Sequence, residues 1–364
     1  MDRTIKTIAE RIKQLDEQRE TIAHILKQTD KKKISRFKVP VSEFYLDKIK
    51  ICGVDGGFLK KEYHGAGIIL RRAVATCFEY KNNKLEKVAY VPNRKPVPEP
   101  IIVGPEFSDA EFNQLASLKR VELELLVAIS AIKKLKPNVL VMDGSIVPYP
   151  SNLPEKSSQV YSVFKGVINL FRKLYTECTK NKILLVGAVE DSRGCKYCNL
   201  LLQKEIPSLL KTKVPGKLKT KIKANKDVLN NTTDTLFLYY LLEIGERTAV
   251  MSYTDKASLP ALKHLEGWAK AIHVIYIKAV PFDRPLRLDF LATKNVDQVA
   301  DKIAAIIWQI SKHNRLYSYP SVLIEADARA KLTEAEIAYF KAALNEKLGR
   351  NPSLFDLRRE LRPF

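Results

Sequence analysis

The sequence predicts an α/β protein: a mixed sheet flanked by helices, preceded by an N-terminal helix and followed by extra C-terminal helices. Three observations carry this. The runs Val139–Met142 and Lys182–Val189 are apolar without alternation, as in strands buried on both faces. Long stretches of helical pattern, Asp109–Leu135 and Ser157–Cys178, precede each of them. Two earlier strand-like runs, Gly67–Tyr80 and Leu85–Val91, flank Lys81-Asn-Asn-Lys84, a hairpin turn that puts an antiparallel unit at the front.

The remaining elements follow in order. Within residues 2–28, Ile5, Ile8, Ile12, Leu15, Ile22 and Leu26 fall at steps of three and four, broken at Arg19, which predicts one helix with a narrow apolar stripe. Such a stripe packs on another helix, either a partner subunit's or one of its own domain. Lys31–Lys38 reads as a basic linker, and Pro40 follows. From Ile49 a short apolar strand runs into an acidic, glycine-rich turn, Asp55-Gly56-Gly57. Pro137 closes the Asp109–Leu135 helix, and the strand after it ends in Asp143-Gly144-Ser145. Lys211–Lys226 is lysine-rich with few apolar anchors, which predicts a mobile loop. A helix over Thr233–Leu242, strands at Thr248–Tyr253, Ala271–Lys278 and Leu286–Leu291, and helices Val296–His313, Ser321–Lys331 and Glu334–Leu348 complete the chain. No internal repeat is visible. The expected organisation is an N-terminal helix and basic linker (1–38), a main domain (39–348) and a tail (349–364).

Composition narrows the function classes. The chain has 364 residues, 46% apolar, and a formal charge of +21, so a sizeable core and a polyanion-attracting surface are both expected. Nucleic acid leads the partner classes. No apolar run approaches the ~20 residues that a bilayer needs, and the N-terminus lacks a secretory apolar stretch, which predicts a cytoplasmic protein without membrane association. The five cysteines form no disulfide framework; Cys195 and Cys198 make a C-x-x-C with no second ligand pair nearby, so they read as core or surface thiols.

Two strands that end in Asp-Gly, at Asp55 and Asp143, are the sharpest chemical signal. In α/β sheets ligands gather where strands end. Adjacent carboxylates repel and raise each other's pKa, and a hard divalent cation with oxygen ligands resolves that conflict. On the intervening helix Glu122 and Glu124 border opposite flanks of the stripe Leu118, Val121, Leu125, Ile129 and Ile132, so periodicity does not choose between them. An acidic metal pocket inside a positive surface suits phosphodiester hydrolysis. His64, soon after Asp55-Gly-Gly, stands out among scattered histidines, and Tyr149, Tyr63 and Phe58 are candidates for base stacking or plain core aromatics.

This order of elements resembles the RNase H-like nuclease fold. Val54-Asp55-Gly56-Gly57, Val141-Met142-Asp143-Gly144-Ser145, Gly245-Glu-Arg247-Thr248 and Tyr319-Pro320…Leu323…Ala326 look like the NurA nuclease family, over about Lys48 to Lys331. The resemblance implies a Mn²⁺-dependent (or Mg²⁺-dependent) deoxyribonuclease with two ions. It implies a single-strand endonuclease and 5′→3′ exonuclease, acting as a homodimer with the hexameric helicase-translocase HerA in archaeal double-strand-break end resection. Carried over, Asp55 and Asp143 are catalytic metal ligands, with Glu124 preferred as the third and Glu122 in reserve. An Ala-His often follows the family's Tyr-Pro segment; here Ala326-Asp327 stands, so Asp327 is the expected fourth ligand. The family's basic residue near the strand end at Glu190-Asp191 is expected at Arg193 or Lys196.

For the DNA backbone the expected contacts are Arg193 and the loop lysines Lys213, Lys217, Lys219, Lys221 and Lys223. The rival readings are an actin/hexokinase-like ATPase, which needs a second glycine-rich phosphate turn that 14 glycines do not form here, and a non-catalytic DNA-binding module, which leaves Asp55 and Asp143 without a purpose.

Overall fold

An 11-stranded mixed sheet organises the chain. The computed structural model describes residues 2–28, 37–104, 106–149, 152–211, 215–254 and 260–349. The strands are β1 (Lys38–Pro40), β2 (Ile49–Tyr63), β3 (Ala66–Lys81), β4 (Lys84–Val91), β5 (Glu99–Val103), β6 (Val139–Asp143), β7 (Leu184–Val189), β8 (Glu246–Thr248), β9 (Met251–Ser252), β10 (Ile272–Lys278) and β11 (Leu286–Leu291). Their order is β1-β8-β10-β11-β7-β6-β2-β3-β4, with β5 on β3 and β9 on β10. Only the β2–β6 and β6–β7 pairs are parallel. Each of those two junctions is bridged by a long helix, as a parallel connection requires.

Those helices, Asp109–Leu135 and Val160–Lys180, cover one face of the sheet. The first starts at a capping box, in which the Ser108 and Glu111 side chains satisfy each other's backbone N–H groups, and stops at a left-handed Lys136 before Pro137. The helices Val296–Ser311 and Ser321–Ala330 cover the opposite face. Strand alternation supplies both cores: Cys52, Val54, Leu140 and Met142 pack on the long helices, whereas Ile51, Val139 and Val141 pack on the C-terminal pair. The Ser321–Ala330 helix lies against bare strand. A Cβ on Gly53 would stand 2.8 Å from the Val322 backbone, and one on Gly57 2.9 Å from the Ala330 carbonyl oxygen. The last helix, Glu334–Leu348, packs on the far end of the β2–β3 hairpin, where the buried Arg72 guanidinium bonds Glu336 and the Lys331 carbonyl.

Several expectations change. Asp55-Gly56-Gly57 is not a turn: β2 runs straight through it to Tyr63, because β3 pairs with it residue for residue, Asp55 opposite Val74 and Gly57 opposite Arg72. The lysine-rich stretch is not a loop over its described part. Gly216–Asn225 is a helix that packs on the N-terminal helix and buries Ile222, while Leu218 is half-buried in the same core. Two apolar side chains one turn apart were enough. The region Thr248–Tyr253 is two short strands, β8 and β9, each paired to a different part of β10.

The N-terminal helix, Asp2–Lys27, divides its stripe. Ile22, Ala23, Ile25 and Leu26 are buried in the chain's own core with Leu229, Phe237 and Leu238, whereas Ile5, Ile8 and Ile12 are each more than half exposed. Most of the expected linker, 31–36, and all of the tail but Gly349 lie outside the described residues. No described helix is long and apolar enough to cross a membrane.

Candidate active site

The carboxylates meet where β6 stops and β2 does not. The last residue pair between the two strands is Val54 with Met142. Asp143, the terminal residue of β6, and Asp55, one step further along β2, therefore stand together at the mouth of this junction. Asp55 shares the parity of Gly53 and Gly57, so it faces the Ser321–Ala330 helix that carries Asp327. Glu124 arrives from the other face, over Gly56. A Cβ on Gly56 would lie 2.7 Å from the Glu124 Cγ and Oε1 atoms, so the bare strand is what admits this side chain.

Burial separates these acids. Asp55 and Glu124 are 7% and 5% exposed, Asp143 is half-buried and Asp327 is exposed. Burial pushes the Asp55 carboxyl up to about 8, and the charges of Asp143 and Glu124 add to it; the Gly56 N–H, which donates to Asp55 Oδ1 at 2.6 Å, opposes it. Burial likewise raises Glu124 to about 7, against the pull of Arg120. Arg120, one turn before Glu124, donates through Nη1 to Glu124 Oε1 at 2.5 Å and reaches the Gly56 carbonyl at 3.4 Å. The Tyr319 hydroxyl bonds Asp143 Oδ1 and lies 3.1 Å from the Ala188 carbonyl oxygen.

Each central carboxylate thus has one oxygen engaged by a neighbouring donor and a second to offer. As they are placed, no three His, Cys, Asp or Glu side chains among the described residues are close enough to hold one ion jointly. The donor chemistry nevertheless fits a hard divalent cation: all the donors are carboxylate oxygens, and two of them are buried under mutual repulsion. A cavity of about 30 Å³, room for a water molecule or two, adjoins them between Arg120, Glu124, Asp143, Ser145, Tyr149 and Asn152. Behind it, Ser145 donates to the fully buried Asp289 at 2.6 Å, and Arg287 holds the other oxygen of that carboxylate at 2.8 Å. This anchors the turn after Asp143.

The other expected residues are distributed more widely. Glu122 is outside the centre, bonded by Arg71 at 2.8 Å and by Lys119 at 3.0 Å, which lower its pKa against the effect of its partial burial. Glu325 is held by Tyr90 and Arg329. Arg193 is exposed just beyond β7, and Lys196 donates to the Ser252 carbonyl. Lys217, Lys221 and Lys223 are exposed and Lys219 half-exposed on the Gly216–Asn225 helix; Lys213 lies outside the described residues. His64 sits at the hairpin tip, nine residues beyond Asp55 and so about 30 Å along the strand. Tyr63 is buried and Phe58 is packed on the core, whereas Tyr149 is 43% exposed beside the centre. Sequence reasoning gave no role to Arg120 or Tyr319. The first was detectable as an Arg four residues before Glu124 on a helix; the second had no local signal, since its partner is 176 residues away.

The family profile described as the NurA domain matches residues 49–332. No curated protein matches the sequence. Among solved structures, the NurA nuclease from Sulfolobus solfataricus superposes with a TM-score of 0.52 at 16% identity, covering 94% of this chain and 97% of that one. A structure of NurA bound to dAMP and manganese gives 0.44 at 15% identity, covering 95% and 96%. Ciona intestinalis endonuclease V with an inosine-containing DNA gives 0.32 at 11% identity, covering 92% and 99%.

Proposed function

The chain belongs to the NurA family, and from that premise we propose that it is a metal-dependent nuclease that hydrolyses phosphodiester bonds in DNA. The observation that carries the reading is the convergence of Asp55, Glu124 and Asp143 on one strand junction, two of them buried, on a chain of charge +21. Asp55 and Asp143 would hold the ions from the sheet, Glu124 from over Gly56 and Asp327 from the facing helix. Mn²⁺, with Mg²⁺ as the second choice and two ions in all, would screen the scissile phosphate and supply a water of lowered pKa. Arg120 orients Glu124 through Oε1, and Tyr319 orients Asp143 through Oδ1, which leaves the remaining oxygens free for the ions.

The finer reading is a single-strand endonuclease and 5′→3′ exonuclease, cytoplasmic and homodimeric, working with a HerA-type hexameric helicase-translocase in archaeal double-strand-break end resection. Circular single-stranded DNA incubated with Mn²⁺ tests the core of it. Linear and then shorter products are expected, none with EDTA, and no ATP hydrolysis by the chain alone. Intact circles under all divalent ions would refute a nuclease.

Lys217, Lys219, Lys221 and Lys223 are proposed, together with Lys213 and Arg193, to hold the DNA backbone. Replacing the four helix lysines by Gln should weaken binding equally for all sequences and flatten the salt dependence by ~0.7 of log–log slope per lost single-strand contact. An unchanged slope would assign these side chains to solvent.

Asp327 is proposed as the fourth ligand, standing where the family often has histidine. Asp327→Ala should lower the cleavage rate at least ~10-fold. Asp327→His should restore part of the rate, with a steeper loss below pH ~6.5 as the imidazole gains its proton. An alanine variant with the wild-type rate and Mn²⁺ requirement would leave the centre to three carboxylates.

A further inference from the structure

Resting on the nuclease reading, we propose that Phe282 and Tyr317 form a stacking shelf for unpaired bases of a DNA strand that enters the carboxylate centre. Two loops build it, 279–285 after β10 and 312–320 before the Ser321–Ala330 helix. They are tied together: the Phe282 N–H donates to the Arg315 carbonyl at 3.3 Å, and the Ser318 N–H to Asp283 at 2.7 Å. On this joint Phe282 is 59% exposed, Leu316 71% and Tyr317 38%. Large apolar side chains this open, gathered in one place, mark a surface that something covers.

The charges identify the occupant. The Arg315 guanidinium lies over the Phe282 ring at 5.3 Å from its centroid, and Lys312 and Arg284 are exposed on the same two loops. Three acids also face the joint, and all are engaged: Glu190 by the Tyr317 hydroxyl at 2.8 Å, Asp191 by Arg284 at 2.8 Å, and Asp283 by the backbone N–H groups of Arg284 and Ser318. Arg284 is thereby paired, and the open rings are left with Arg315 and Lys312 as the cations nearest them. That pairing suits a single nucleic-acid strand, whose bases stack on rings while its phosphates meet the cations.

Position links the shelf to the centre. The Tyr317 and Tyr319 rings lie 5.8 Å apart at 30°, and Tyr319 bonds Asp143. A base resting on the shelf is therefore one ring removed from a carboxylate of the centre. The hydrogen bond to Glu190 fixes the Tyr317 ring by its edge and leaves its orientation set before DNA arrives.

The test measures binding of the full chain to a fluorescent single-stranded oligonucleotide in EDTA, so that no cleavage intervenes. A parallel set carries one abasic site at each position in turn. The wild type should lose about 5- to 150-fold in affinity when one or two particular bases are missing, the range for one base–aromatic stack. Phe282→Ala should lose affinity for the intact strand by a similar factor and no longer respond to at least one of those abasic positions. Phe282→Trp, which keeps a ring, should retain the wild-type profile. A flat abasic profile in the wild type, no binding of single strands at all, or a Phe282→Ala variant with the wild-type profile would each overturn the shelf, the last leaving the patch to a protein partner. Cleavage of DNA by the wild type with Mn²⁺ is scored separately: its failure would defeat the nuclease reading, whereas a lost profile in a cleaving enzyme would defeat only the shelf.

Discussion

Asp143→Asn should remove cleavage, by roughly 10³-fold or more, and leave the fold intact. The factor corresponds to the several kcal/mol of charge stabilisation that a metal supplies to a phosphoryl transition state. Asparagine keeps the volume of the side chain and an acceptor for the Tyr319 hydroxyl, but not the charge that would hold an ion. Asp55→Asn should behave alike. Its buried carboxyl is pushed up to about 8 because burial and its neighbours oppose the charge, so the neutral amide is expected to be no less stable than wild type in thermal melts with EDTA. Mn²⁺-dependent rates near wild type in either variant, measured on the same oligonucleotide, would remove that residue from the centre.

The second large effect separates two glutamates that stand two residues apart. Glu124→Gln should cost a factor comparable to that of Asp143→Asn, because its carboxylate is buried over Gly56 and bonded by Arg120 at the centre. Glu122→Gln should change the rate less than about threefold, since its carboxylate is held by Arg71 and Lys119 outside the centre and would lose no transition-state contact. Its partners are Arg71 on β3 and Lys119 one turn earlier on the same helix. Single-turnover rates at saturating Mn²⁺ decide between them, and the opposite ranking would transfer the ligand role to Glu122.

This pair also marks where the sequence stopped being legible. Helical periodicity put Glu122 and Glu124 on opposite flanks of one apolar stripe, and nothing local says which flank has room for a carboxylate. The absent side chain of Gly56, 68 residues earlier, does. The helix–strand order and the strand ending at Asp143 were readable, because continuous apolar runs and a capped 27-residue helix are local signals. Asp55 was readable as an acid of the centre but not as a residue in mid-strand: glycines suggest turns, and only the unbroken register with β3 overrides them. The lysine-rich helix was missed for a related reason. Its order comes from Leu218 and Ile222 docking on a distant helix, and two side chains make no periodicity. The short β5, β8 and β9 owe their pairing to neighbours far along the chain.

The seating of the Ser321–Ala330 helix on Gly53 and Gly57 bears on which ions the centre can accept. A helix resting on interlocked side chains can rise or slide as those side chains change rotamer. One pressed main chain to main chain has no such suspension, and its height above the sheet is already at a minimum. If Asp327 is the fourth ligand, the backbone separation between it and Asp55 is then held fixed. An ion of larger radius would then be accommodated only by the side chains, chiefly the exposed Asp327, and not by a rise of the helix, so two bare strand positions would limit how far the centre can widen.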